Sequence, residues 1–255
     1  MLLSTKERNC IIKRQLGKKM TNEHLTIKEN LDIIKTRVAD ACEKAGRHND
    51  VIILGASKMN SAERINFAID SGLEYIGENK VQELLEKYDE INKDKVTIHF
   101  IGHLQSNKVK YIIDKVDMIH SVDSLSLAKE IDKQAKKHGI VMKVLVEINI
   151  CMEESKGGIS PCNVEEFLTE ISKFENIQVL GLMSIPPIMT SEETQRKIFQ
   201  EIYKIYVDIS AKNIHNISMR YLSLGMSDDY HIAVEEGSNL IRVGSSLFGR
   251  RNYNN

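Results

Sequence analysis

Within TIKENLDIIKTRVADACEKAG, the apolar positions Ile27, Leu31, Ile34, Val38 and Cys42 recur at spacings of three and four, which predicts an amphipathic helix ending at Gly46. Beyond it the pattern changes. Short runs rich in Val, Ile and Leu alternate with longer amphipathic segments. The runs are VIILGAS (51–57), EYIGEN (74–79), TIHFIG (97–102), DMIHSVD (117–123), KVLVEINI (143–150), QVLGLMSI (178–185), YLSLGM (221–226) and NLIRVGSSLFG (239–249). Most are nearly continuous in apolar residues, as parallel strands covered on both faces require. Between them, SAERINFAIDSG, SLSLAKEIDKQAKKHG and NVEEFLTEISKF return to the helical period. Eight strand-then-helix units over about 230 residues predict an α/β fold, a (β/α)8 TIM-type barrel. The alternative is an open doubly wound sheet, which announces a dinucleotide with GxGxxG after its first strand. Here that strand runs into GASKMNSAERI instead, which disfavours it.

Composition narrows the function classes. With 255 residues, 42% of them hydrophobic, the chain can bury one sizeable core. The 35 basic and 36 acidic residues leave a net charge of −1, so no overall positive field favours nucleic acid or an anionic membrane. No apolar run approaches the roughly 18 residues of a membrane span. Cys10, Cys42, Cys151 and Cys162 form no CxxC pair and are too sparse for a disulfide-stapled module, which fits a reducing cytoplasm. Residues 1–20 form a basic stretch expected to be a disordered N-terminal extension rather than a targeting signal, followed by a single barrel over 21–255.

In such a barrel the ligand sits at the carboxyl ends of the strands, and a phosphate often lies between the loops after strands seven and eight. Those loops read LGMSDD and IRVGSS, each with a glycine and at least one serine, whose N–H and O–H groups suit an anion. Lys58, at the end of the first strand, faces the same mouth. An amine partly removed from water there is more often the neutral nucleophile that condenses with an aldehyde to a Schiff base. A strand-end lysine beside a phosphate cup suits pyridoxal 5′-phosphate (PLP). Arg242 interrupts the apolar run NLIRV, where a guanidinium is costly unless partnered. Turned into the mouth, it reaches the pyridine nitrogen and weakens the ring as an electron sink.

Six ordered blocks, GASKMNSAERI, IGENKVQE, IHFIGHLQSNKVK, INICMEESKGGIS, LGLMSIPP and LSLGMSDDYHIAVEEGSNLIRVGSSLFG, closely resemble the YggS/PROSC family of PLP homeostasis proteins over about residues 27–250. The resemblance implies a barrel like the N-terminal domain of alanine racemase, without its C-terminal β domain. It implies PLP held as an internal aldimine of Lys58, a role in intracellular PLP homeostasis, and PLP-dependent apo-enzymes as recipients. Position by position, it implies phosphate binding by Ser227, Gly244 and Ser245, and Arg242 facing the pyridine nitrogen. Asn79 and Ser184 would line the pocket, with a backbone contact from Met226. The family commonly has a threonine where Ser245 stands; the hydroxyl is kept.

The competing reading is a PLP-dependent amino acid racemase. Two-faced racemisation needs a second base, which racemases of the resembling fold supply as a tyrosine from an additional β domain. Only RRNYNN follows the eighth strand here, and Tyr253 in it reads as a frayed end. A third reading takes AKEIDKQAKKHG and KNIHNISMR as lysine-rich docking helices, although such charge runs are usually solvated faces. His99 and His103 stand four apart, but TIHFIG reads as a strand, which spreads them by about 13 Å and disfavours a metal pair. Lys108 is a candidate anion contact near the mouth, and a monomer is expected.

Overall fold

The protein is described by a computed structural model covering residues 22–153, 156–187, 189 and 191–249. The expected N-terminal extension and Tyr253 lie outside the described residues. Eight parallel strands close into a barrel in chain order, with β8 returning to β1. They are β1 (Ile52–Ala56), β2 (Tyr75–Glu78), β3 (Thr97–Phe100), β4 (Met118–Val122), β5 (Met142–Ile148), β6 (Ile177–Ser184), β7 (Ile217–Ser223) and β8 (Leu240–Val243).

The helices are α1 (Asn22–Lys44), α2 (Ala62–Asp70), α3 (Val81–Lys87), α4 (Leu125–His138), α5 (Val164–Ile171), α6 (Glu192–Ser210), α7 (Tyr230–Glu235) and α8 (Ser245–Phe248). The stripe read from the sequence is the buried face of α1, which packs on α2, α7 and α8. Ser61, Ser124 and Ser191 cap α2, α4 and α6 by accepting the N–H three residues on, and Gly139 ends α4 in the left-handed conformation. Between β3 and β4 the chain makes a short 3₁₀ helix, Ser106–Tyr111, instead of a full α-helix.

The helix layer and the outer faces of the strands share one continuous apolar core. Two smaller apolar clusters lie apart from it. One joins Leu54, Ala56, Ile101 and Leu240, and the other Met118, Leu145, Leu180 and Met183. Alternation along β8 turns Leu240 and Arg242 to one face and Ile241 and Val243 to the other, so Arg242 shares the inner face with Leu240.

The reading of KNIHNISMR as a helix is corrected. Asn213 and Asn216 adopt left-handed φ values of 49° and 60°, and Ile217–Arg220 already belong to β7, which therefore starts four residues before the expected run. Asn216 explains the switch: asparagine tolerates this conformation, and its amide donates to the carbonyls of Phe174 and Ile177 (3.0 and 2.6 Å). The register of β6 against β7 shifts between Val179 and Gly181. Gly181 has φ 148°, and a Cβ there would lie 1.8 Å from the Tyr221 carbonyl oxygen, so the close approach admits no side chain.

Candidate functional site

Lys58, Asn79, Met226, Ser227, Gly244 and Ser245 all lie just beyond strand carboxyl ends, and Ser184 is the last residue of β6. Lys58 is half-buried in the turn after β1. The preceding Ser57 is fully buried, and its hydroxyl donates to the Gly77 carbonyl (3.0 Å) and to Glu78 Oε1 (2.6 Å). Asn79 Oδ1 is buried without a hydrogen-bond partner, an acceptor that a bound donor can satisfy.

The Asn79 backbone fits tightly under Gly102, where a Cβ would stand 2.1 Å from the Asn79 carbonyl oxygen. Gly102→Ala must push the β2 and β3 ends apart. We expect it to cost about 1–3 kcal/mol in urea denaturation, in line with overpacking elsewhere.

Ser227 sits at the point where the loops after β7 and β8 meet. Its Oγ accepts the N–H groups of Gly244 and Ser246 (both 3.1 Å) and lies 3.2 Å from the Ser246 hydroxyl. All three donors of this cradle are engaged by Ser227 Oγ itself, and a phosphate oxygen in its place would suit the same N–H and O–H groups. Ser246, not among the residues expected at the site, thus contributes two of the donors, while Ser245 is exposed. The signal was present in the SS pair that opens α8. Met226 is differently engaged: its N–H donates to Asp229 Oδ1 (2.6 Å), and its carbonyl accepts from Asp229 and Tyr230. Its backbone anchors the start of α7.

Arg242 lies inside the barrel, 4% exposed. Nη1 donates to the Ser223 carbonyl (2.8 Å) and hydroxyl (2.5 Å), and Nη2 to the Ser184 carbonyl (2.9 Å). Ser184 in turn donates its hydroxyl to the Ile148 carbonyl (2.7 Å). Burial lowers the Arg242 pKa to about 10, against the opposing attraction of Glu147 and Asp229. Burial likewise raises both carboxyls, with Arg242 pulling each back.

His99 is bonded to His120 on the neighbouring strand (Nδ1 to Nε2, 2.9 Å), and His120 Nδ1 lies 3.4 Å from Ser223 Oγ. Because Ser223 Oγ accepts from Arg242, its proton is free to point at His120 Nδ1. His120 then carries its proton on Nε2 and donates to His99. His103 lies past β3 with its side chain 70% exposed, 3.9 Å from Asp123. Lys108 is exposed, 5.8 Å over the Tyr111 ring.

Burial depresses His99 to about 3, helped by Lys143, and holds His120 well below 6.5, helped by His99 and Arg242. A histidine depressed on folding contributes stability that is complete above its unfolded pKa and lost as pH falls toward the folded value. Each such proton is worth about 1.4 kcal/mol per pH unit in that window. Glu78, Glu147 and Asp229, raised by burial, carry the opposite sign. We therefore expect the change in urea-unfolding free energy on going from pH 6.5 to 4.5 to be less unfavourable in His120→Gln than in the wild type. Equal changes would refute the neutral His120.

Residues 26–252 match the family profile described as "Alanine racemase, N-terminal domain". A pyridoxal phosphate homeostasis protein from Aquifex aeolicus is 42% identical over 226 residues, 88% of this chain and 98% of that protein. The protein of the same name from Escherichia coli is 32% identical over 231 residues, 89% of this chain and 97% of its own. The structure of Synechococcus elongatus PipY with PLP bound superposes with a TM-score of 0.77 at 30% identity, covering 88% of this chain and 100% of PipY. Clostridium difficile alanine racemase matches at 19% identity and a TM-score of 0.67 over 60% of its length, a likeness of fold alone. Among the described residues no helix is long and apolar enough to cross a membrane.

Proposed function

We propose that this chain, which belongs to the pyridoxal phosphate homeostasis protein family, binds PLP at the carboxyl end of its barrel and holds it through Lys58. The carrying observation is the convergence of the Gly244 and Ser246 N–H groups on Ser227 Oγ, a donor cluster suited to a phosphate, at the same end of the barrel as the half-buried Lys58. Bound PLP supplies an aldehyde that condenses with a primary amine, and a phosphate. Lys58 offers the amine, and Ser227, Gly244, Ser245 and Ser246 offer donors to the phosphate. The buried Arg242 presents a fixed positive charge to the ring side of the site, and Asn79 Oδ1 a free acceptor. Ser184 acts through its carbonyl, which holds Arg242, and Met226 through its hold on α7.

The role that follows is keeping PLP bound and handing it to PLP-dependent apo-enzymes. A monomer in the cytoplasm is the setting, to which the unpaired thiols of Cys42, Cys151 and Cys162 are suited. A racemase reading has weaker support, because the alanine racemases share the fold alone. The test is titration of purified protein with PLP, followed by borohydride reduction and peptide mapping. A visible band distinct from free PLP and a reduced adduct on Lys58 are expected. An adduct scattered over surface lysines would overturn the reading.

A further inference from the structure

The turn from Ser57 to Asn60 starts at the buried Ser57 and is closed by the Asn60 N–H donating to the Ser57 carbonyl (3.1 Å). Met59, next to Lys58, has a left-handed φ of 59°, uncommon outside glycine, yet its side chain is mostly exposed. Besides the Asn60 side chain, which donates to the Lys58 carbonyl (3.1 Å), restraint comes from β2 and α3. Met59 N–H donates to Glu83 Oε1. The carbonyls of Ser57 and Asn60, on either side of Lys58 and Met59, both accept from Lys87 Nζ, at 2.9 and 3.2 Å. Lys87 also donates to Glu83 Oε1 (3.0 Å) and pairs with Glu78, whose Oε1 takes the Ser57 hydroxyl and whose Oε2 takes the Asn79 N–H (3.2 Å). One ammonium, with three N–H bonds, thus faces four oxygens, two of them backbone carbonyls of the turn. Lys87 is 7% exposed and Glu78 fully buried.

We propose that Glu78, Glu83 and Lys87 form a buried clamp that positions Lys58 by fixing the backbone from which its side chain springs. The inference rests on the reading of Lys58 as the amine that attaches to PLP. None of the three side chains bonds the Lys58 side chain; they are positioning residues. A buried ion pair is a poor source of net stability, since desolvation offsets much of its attraction, so its orientation of two carbonyls and one N–H is the more telling consequence. A lysine has four rotatable bonds, and an anchor free to turn would add more conformations that place Nζ away from the aldehyde.

The decisive variants are Glu83→Ala and Glu83→Gln, because Glu83 is at the edge of the cluster with its side chain 20% exposed. Glutamine keeps an oxygen for Met59 N–H and Lys87; alanine does not. In the full chain without ligand, Glu83→Ala should speed amide hydrogen exchange at residues 57–60, and Glu83→Gln should not. With PLP added, the rate of adduct formation on Lys58 should fall about tenfold in Glu83→Ala and stay within about twofold in Glu83→Gln. Affinity for pyridoxine 5′-phosphate, which has no aldehyde, should hold within about threefold in both. Unchanged exchange and rate in Glu83→Ala would overturn the clamp. So would an equal fall in both variants, or a loss of analogue affinity as large as the loss of rate. A wild type that shows the exchange difference but no adduct on Lys58 would overturn the reading of Lys58 while leaving the restraint of the turn in place.

Discussion

Lys58→Ala is expected to abolish the borohydride-stable PLP adduct while leaving the barrel folded and still able to bind a phosphate-bearing ligand. The clamp acts on the carbonyls of Ser57 and Asn60 and on the Met59 N–H, and Asn60 donates to the Lys58 carbonyl (3.1 Å). All of these are backbone groups that alanine preserves. The turn should therefore stand, and thermal unfolding should move by no more than surface substitutions usually cause, about 0.5 kcal/mol. The Ser227 cradle is built from the β7 and β8 loops and involves no atom of Lys58. Pyridoxine 5′-phosphate should bind with affinity within about threefold of the wild type, while PLP loses both its shifted absorption band and its reducible linkage. Peptide mapping after reduction decides the matter. An adduct that moves stoichiometrically to another single lysine, such as Lys80, would show that the amine was misassigned.

The eight strands were legible because parallel strands buried on both faces leave nearly unbroken apolar runs; all five residues of β4 and all four of β8 are buried. The beginning of β7 was not, because Ile217–Tyr221 alternate between half-buried and exposed and carry Arg220 outward. An asparagine-rich turn beside such a stretch reads as easily as a polar helix. The site was legible at strand ends, where one-dimensional position fixes location. It was not legible where partners come from different strands. Along the chain His99 stands four residues from His103, while its hydrogen-bond partner is His120 on the neighbouring strand. Ser223, which ties that pair to Arg242, carries no signal of its own in YLSLGM. The clamp is hidden for the same reason: Glu83 and Lys87 read as one face of an ordinary amphipathic helix, and their connection to residues 57–60 exists only once β1 and β2 are paired.

Arg242→Glu should be the most destabilising charge substitution in the barrel. The guanidinium meets three oxygens, the carbonyls of Ser184 and Ser223 and the Ser223 hydroxyl, and it is the positive charge facing Glu147 and Asp229. A carboxylate in its place would point at carbonyl oxygens it cannot bond and would join two carboxyls that burial already raises. Removing one partner of a buried charged network costs about 3–5 kcal/mol, and reversing its sign should cost at least that in urea denaturation at pH 7. Arg242→Met separates charge from shape. It fills similar volume and leaves the carbonyls without donors, for an expected loss of about 1–3 kcal/mol. The Met variant, if folded, also reads out function: Lys58 and the Ser227 cradle are untouched, so PLP should still attach, but its absorption should shift because the charge facing the ring is gone. A Met variant with wild-type stability and an unchanged PLP spectrum would place the guanidinium outside the site and leave its burial unexplained. If stability falls and the spectrum moves together, one side chain both ties β6 and β7 to β8 from inside the barrel and sets the electrostatics of the ring.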